Sequence, residues 1–347
     1  MRVLVTGHNG YIGCVLAPML KEHGCDVVGL DTDFYRTCTY GKNPSIFPEI
    51  VKDIRNVRVE DLKGFEAVIH LAALSNDPLS DLDPPLTYEL NHEATIHLAK
   101  MAKAAGVRRF IFSSSCSNYG AAGEDWLTEE SNLNPITPYG HSKVLSEKDL
   151  QKLACDTFHP TYMRSATAYG YSPRLRFDLV LNNLTAWAYT TGNIHLKSKG
   201  NSWRPIVHIE DISRAFTAAL TAPIELIHNE AFNVGITEEN FQVRDIAQIV
   251  QLNMPDCQIT FSADAQEDKR SYRVDFTKIH RALPNYQPQW TAYKGVGELL
   301  DSFKEYGLEL NEFEGPRYRR VSHIKKLIKQ DSIDSKLYWT QKEMQKS

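Results

Sequence analysis

The chain has 347 residues, 42% hydrophobic and 24% charged, with a formal net charge of -4. That length can bury a substantial core in one large domain or two, and the charge gives no reason to expect nucleic acid or an anionic membrane as a partner. Six cysteines, at 14, 25, 38, 116, 155 and 257 and never spaced as C-x-x-C, argue against a disulfide framework and against a zinc site.

The first element is already a strand and its turn, "RVLVTG" (2–7), which leaves no room for a charged region followed by an apolar signal segment. No apolar run is long enough to span a bilayer. A soluble cytoplasmic protein is therefore expected. In "VLVTGHNGYIGCVLAPMLKEHG" (3–24), Gly7, Gly10 and Gly13 lie between that strand and a helix, with Asn9, Tyr11 and Ile12 in the turn. The first glycine permits a tight turn, the second lets backbone approach a pyrophosphate, and the third lets helix pack on strand. The helix N-terminus then offers N–H groups to phosphates. Pro18 falls inside this helix and is expected to kink it or break a hydrogen bond.

The next strand, "DVVGLD" (26–31), ends at Asp31. A carboxylate there accepts from both ribose hydroxyls and repels a 2′-phosphate, which favours NAD over NADP. Asp33 competes for the role, and "VKDIRN" (51–56) places Asp53 and Ile54 in a polar break near an adenine. Strands "EAVIHLAA" (66–73) and "RRFIFSSS" (108–115) flank a helical pattern over 86–106 that ends on Gly106, a C-cap residue. A later strand covers 161–170. Strand–helix alternation of this kind predicts a Rossmann-type, doubly wound parallel sheet of the α/β class.

Beyond 170 the pattern loosens. A helix is expected over 176–192, and a strand with a helix capped by Asp211 over 205–223. The expected division is an NAD-binding Rossmann domain over 1–170, with 205–235 returning to it. A smaller C-terminal substrate-binding α/β part takes 171–204 and 236–309, and 310–347 forms an extension. That extension is charged and Tyr-rich, which suits a solvated surface element.

In "TPYGHSKVLSEKDL" (137–150), Tyr139 and Lys143 are four apart and share a helix face. An ammonium beside a phenol favours phenolate, and a phenolate can take a proton from an alcohol whose hydride is leaving. Taken alone, Tyr-x-x-x-Lys is also a common surface pair. "SSSCSNYG" (113–120) closes the strand at 108–115, where open α/β sheets place their ligands. Cys116 leaves two readings open: a thiol beside the substrate, or a small apolar filler. His141 and His208 read as structural hydrogen-bonders.

Together the glycine turn, "HLAA" (70–73), "SSSCSNYG" and "YGHSK" resemble the extended short-chain dehydrogenases/reductases of the nucleotide-sugar epimerase/dehydratase type. "WRPIVHIEDISRA" (203–215) and "AFNVG" (231–235) extend the resemblance, which covers about 1 to 305. It implies tightly held NAD, touched by Leu71, Ala72, Ala73 and Asn91 as well as the residues above. Ser115, Tyr139 and Lys143 fall on the catalytic positions. A nucleoside diphosphate sugar would meet Ser115, Ser117, Thr167, Asn183, Arg204, and Arg270 or Arg273. Many relatives carry Asn where Thr167 stands. The Asp-Glu pair that eliminates water in related 4,6-dehydratases is here Cys116-Ser117, which disfavours dehydration. The expected activity is a homodimeric, NAD-dependent nucleotide-sugar epimerase working through a transient 4-keto sugar. A 4-keto reductase or dehydrogenase is the alternative, and a non-catalytic NAD-binding regulator a more distant one. No metal is expected.

Overall fold

The computed structural model describes residues 1–75, 83–121, 125–266 and 270–341. Seven parallel strands form the central sheet, in the order Glu230–Val234, His159–Ser165, Arg109–Ser115, Ala67–His70, Arg2–Thr6, Asp26–Asp31, Glu49–Val51. Side chains alternate between its faces with a period of two. Val3, Val5, Ile69 and Ile111 point into one core with Leu16 and Leu20 of the helix Gly13–Glu22 and Phe216 of the helix Ile209–Thr221. Leu4, Val68, Phe110 and Phe112 point into the other, against Leu98 and Ala102 of the helix Ala94–Ala104. Each such residue contributes on the order of 1.5–3 kcal/mol by leaving water.

The chain adds strands outward in one direction from Arg2–Thr6 through Asp26–Asp31 to Glu49–Val51, then crosses back to start the other half at Ala67–His70. Between these first and fourth strands, at their carboxyl ends, lies the crevice where sheets of this kind bind ligands. Among the described residues the chain forms three smaller sheets. Thr167–Tyr169 pairs with Trp203–His208, which pairs with Asn240–Gln242; Asn193–Ser198 pairs with Gln258–Gln266; and Trp126–Leu127 pairs with Arg273–Val274.

The helix Gly13–Glu22 continues through Pro18, whose ring nitrogen has no hydrogen to donate to the helix. Several local expectations are corrected. The fourth strand stops at His70, and Leu71 to Ala73 leave the sheet as a loop. The 86–106 pattern is Pro84–Tyr88, a π-helical turn Glu89–Glu93 and then Ala94–Ala104. Asp211 does not cap its helix: the His208 ring does, accepting from Glu210 N at 3.2 Å, while buried Asp211 accepts from Gln289 N and Trp290 N. Nor is the C-terminal segment a solvated element. In its helix Arg320–Lys329, Arg320, His323 and Ile324 are buried, packed against the loops that carry Phe34, Tyr35 and Leu74. Among the described residues no helix is long and apolar enough to cross a membrane.

Candidate active site

Two connected hollows occupy the crevice. The first is built on the glycine turn. Gly7 sits at φ 72°, and a Cβ there would lie 2.8 Å from Ala72 N; at Gly13 a Cβ would lie 2.4 Å from Gly7 O. Side chains would fill the turn, so the cradle stays open for a dinucleotide phosphate. Gly10, Tyr11, Ile12, Asp31, Asp53, Ile54, Leu71, Ala72 and Ala73 complete its walls together with Phe34, Tyr35, Lys52, Arg176 and Arg320. Asp31 is held at the strand end by two backbone donors, Asn9 N at 3.1 Å and Asp33 N at 2.8 Å. Its competitor Asp33 does not line the cleft. Asp53 accepts from Arg55 N and pairs with the Arg55 guanidinium at 2.7 Å. These residues fit NAD, with Asp31 suited to the ribose diol.

Two expected cofactor residues stand behind the wall instead. The Asn9 side chain donates to Asp33 and Glu49, so its contribution is the backbone bond that orients Asp31. Asn91, buried in the π-helical turn, accepts from Leu74 N at 2.7 Å and donates to Leu74 O and Ser142 Oγ. It ties the cleft loop to the helix Pro138–Gln151 that carries Tyr139 and Lys143. A π-turn is a common device at functional sites.

The second hollow is lined by Ser115, Ser117, Tyr139, Lys143, Thr167, Arg204, Arg270, Arg176, Asp178 and Tyr272. It shares Ile12, Leu71, Ala73, Ser75 and Arg176 with the first. Ser115 closes the strand Arg109–Ser115 and accepts from Ser117 N at 3.1 Å. Lys143 is buried, donates from Nζ to Ser113 O at 2.6 Å, and lies 5.7 Å from the centre of the Tyr139 ring. Burial pushes its pKa down to about 7, with Glu147 opposing. Glu147 itself is buried and accepts from Ser114, Asn118 and Arg164. That network fixes the serine-rich strand end against the Tyr139 helix.

Cys116 is not in the site. Directly after Ser115 the chain enters the 3₁₀ turn Cys116–Tyr119, which rotates the thiol into the core, where it donates to Arg164 O at 3.1 Å. It is 1% exposed, and burial pushes its pKa far up, so thiolate chemistry is closed to it. Arg273 also lies off the hollow, between the Trp126 and Trp203 rings at 5.0 and 5.1 Å. Arg270 lines it, and its carbonyl accepts from Arg204. Asn183 donates to Phe177 O at 2.8 Å and lines a neighbouring groove with His195, Lys197, Arg204 and Arg270. Sequence reasoning missed Tyr35, Lys52, Arg176, Tyr272 and Arg320; only "PRLR" (173–176) offered a hint. Among the described residues no group of three His, Cys, Asp or Glu side chains could hold a metal ion.

UDP-glucose 4-epimerase of Mycolicibacterium smegmatis is 28% identical over 323 residues, spanning 88% of this chain and 99% of the relative. The crystal structure of UDP-glucose 4-epimerase from Thermotoga maritima with UDP-glucose superposes with a TM-score of 0.76 at 25% identity, covering 88% of this chain and 99% of that one. UDP-glucuronic acid 4-epimerase of Bacillus cereus, in complex with UDP-glucuronic acid and NAD, gives 0.74 at 26% identity over the same shares. The family profile of NAD-dependent epimerases and dehydratases matches residues 3–235. A glycine cradle and Asp31 in one hollow, and Tyr139 with Lys143 in the hollow that opens from it, agree with that match: the chain belongs to the NAD-dependent epimerase/dehydratase family.

Proposed function

We propose that this enzyme inverts a carbinol carbon, C4, of a nucleoside diphosphate sugar. The observation that carries the proposal is the junction itself: Ser115, Tyr139 and Lys143 line a hollow continuous with the NAD cleft. Bound NAD supplies the acceptor and later the donor of a hydride. Tyr139 takes the hydroxyl proton as the C4–H bond breaks and returns it when the bond re-forms on the other face. Ser115 donates to the reacting oxygen. The Lys143 ammonium favours the phenolate, and with a pKa near 7 it can gain or lose its charge at neutral pH. Arg204 and Arg270 suit the diphosphate, since charge-assisted bonds to anions are the strong ones; Thr167 and Ser117 line the same hollow, and Asn183 lines the groove beside these two arginines, within reach of the same diphosphate.

The hollow's chemistry speaks against water elimination. Asp178 is the carboxylate among its described lining residues, and it is locked to Arg176 by bonds of 3.0 and 2.7 Å. A uridine nucleotide is the first choice, because the named relatives act on UDP sugars. Protein purified without added NAD should convert UDP-glucose to its C4 epimer, and Tyr139→Phe should lose about 10²–10⁴-fold in rate while keeping NAD. Dependence on external NADH would replace the epimerase with a reductase. Stabilisation by GDP, dTDP or CDP instead of UDP would change the base. A cytoplasmic homodimer completes the reading, to be checked by cell fractionation and sedimentation.

A further inference from the structure

Three cations line the NAD cleft. Lys52 is paired with Asp61 and Arg176 with Asp178, each at 2.7 Å. Arg320 differs. It is 6% exposed, its guanidinium lies 3.7 Å over the Tyr35 ring, and it donates to Arg174 O at 3.1 Å. Among the described residues no carboxylate lies within ion-pair distance of it. A buried guanidinium without a carboxylate partner is costly, and this one lines a hollow whose ligand carries two phosphates.

The segment that carries Arg320 is fastened to the loops forming the cleft. Trp339 Nε1 donates to Thr32 O at 2.6 Å and its ring packs on Phe34. The His323 ring bridges Phe34 O at 2.9 Å and Cys38 Sγ at 3.4 Å. Tyr338 lies under the Arg55 guanidinium at 3.6 Å, next to Asp53. Ile324, Ile333 and Leu337 form one apolar cluster with Leu74 and Leu90, both residues of the cleft wall. The family profile, which ends at 235, does not extend to this segment.

We propose that the C-terminal segment is a cofactor clamp of this chain, in which Arg320 binds the NAD pyrophosphate and the aromatic contacts hold the 32–38 loop closed over it. This rests on NAD as the cofactor and not on the identity of the sugar. The test uses the holoenzyme and reads NAD release into excess ADP-ribose, with no turnover required. Arg320→Ala should release NAD about ten- to hundredfold faster than wild type, the range of one charge-assisted contact, and Arg320→Lys should fall between. Direct titration of the emptied protein should show the loss for ADP-ribose and none for adenosine, which lacks the pyrophosphate. Unchanged release, or an equal loss for adenosine, overturns the proposal. Should Arg320→Ala fail to fold, Tyr338→Ala with Trp339→Ala loosens the clamp and leaves Arg320 in place. That variant must also speed NAD release, and an unchanged rate overturns the clamp.

Discussion

Replacing Lys143 by Met would separate the electrostatic cost of the site from its chemistry. The side chain is 3% exposed, and burial lowers its pKa from 10.5 to about 7. Between these values the unfolded chain binds more protons than the folded one, so this residue makes stability rise with pH through that window and leaves it flat below. At neutral pH a shift of this size corresponds to about 4 kcal/mol of destabilisation, which the bond to Ser113 O offsets by about 1 kcal/mol. NAD-free Lys143→Met should therefore be more stable than wild type by on the order of 2–3 kcal/mol near pH 7, with the advantage fading toward pH 10.5. The same variant should lose at least about 10²-fold in turnover. Denaturant unfolding of both proteins across the window measures the difference. If the two curves run parallel in pH, the charge of Lys143 is not what burial penalises, and the reasoning fails.

Cys116→Ala should keep turnover within about threefold and cost about 1–2 kcal/mol, because the thiol fills core and does not face the substrate; a kinetic collapse in a folded variant would restore the thiol to the mechanism. Asp31→Ala should cut NAD affinity about ten- to hundredfold while changing NADP affinity far less, as two parallel titrations would reveal. Glu147→Ala leaves Arg164 buried without its partner and should cost about 3–5 kcal/mol, read from denaturant midpoints, with turnover falling as the Ser114–Ser115 strand end loosens. A loss below about 1 kcal/mol would mean that the pair is not a structural tie.

What the sequence alone determined was local. Gly7, Gly10 and Gly13 were legible because a turn that tight has a fixed spacing, and Asp31 because the next strand must end beside it. The shared face of Tyr139 and Lys143 follows from 3.6 residues per helical turn. Apolar alternation announced the core strands, since a strand has two faces. The places where this reading stayed open or erred are those where one residue of register or one distant partner decides. A single 3₁₀ turn after Ser115 sends Cys116 into the core. Asp211 has the chemistry of a helix cap, yet is used by Gln289 N and Trp290 N from a segment far along the chain. The tail looked solvated because its composition is polar, whereas the helix Arg320–Lys329 buries one narrow face, Arg320, His323 and Ile324, against loops from the opposite end of the chain. Periodicity reports which side of an element is apolar. Which surface covers that side, and whether a buried guanidinium beside Tyr35 meets a carboxylate or an open cleft, is settled only when distant segments are packed together.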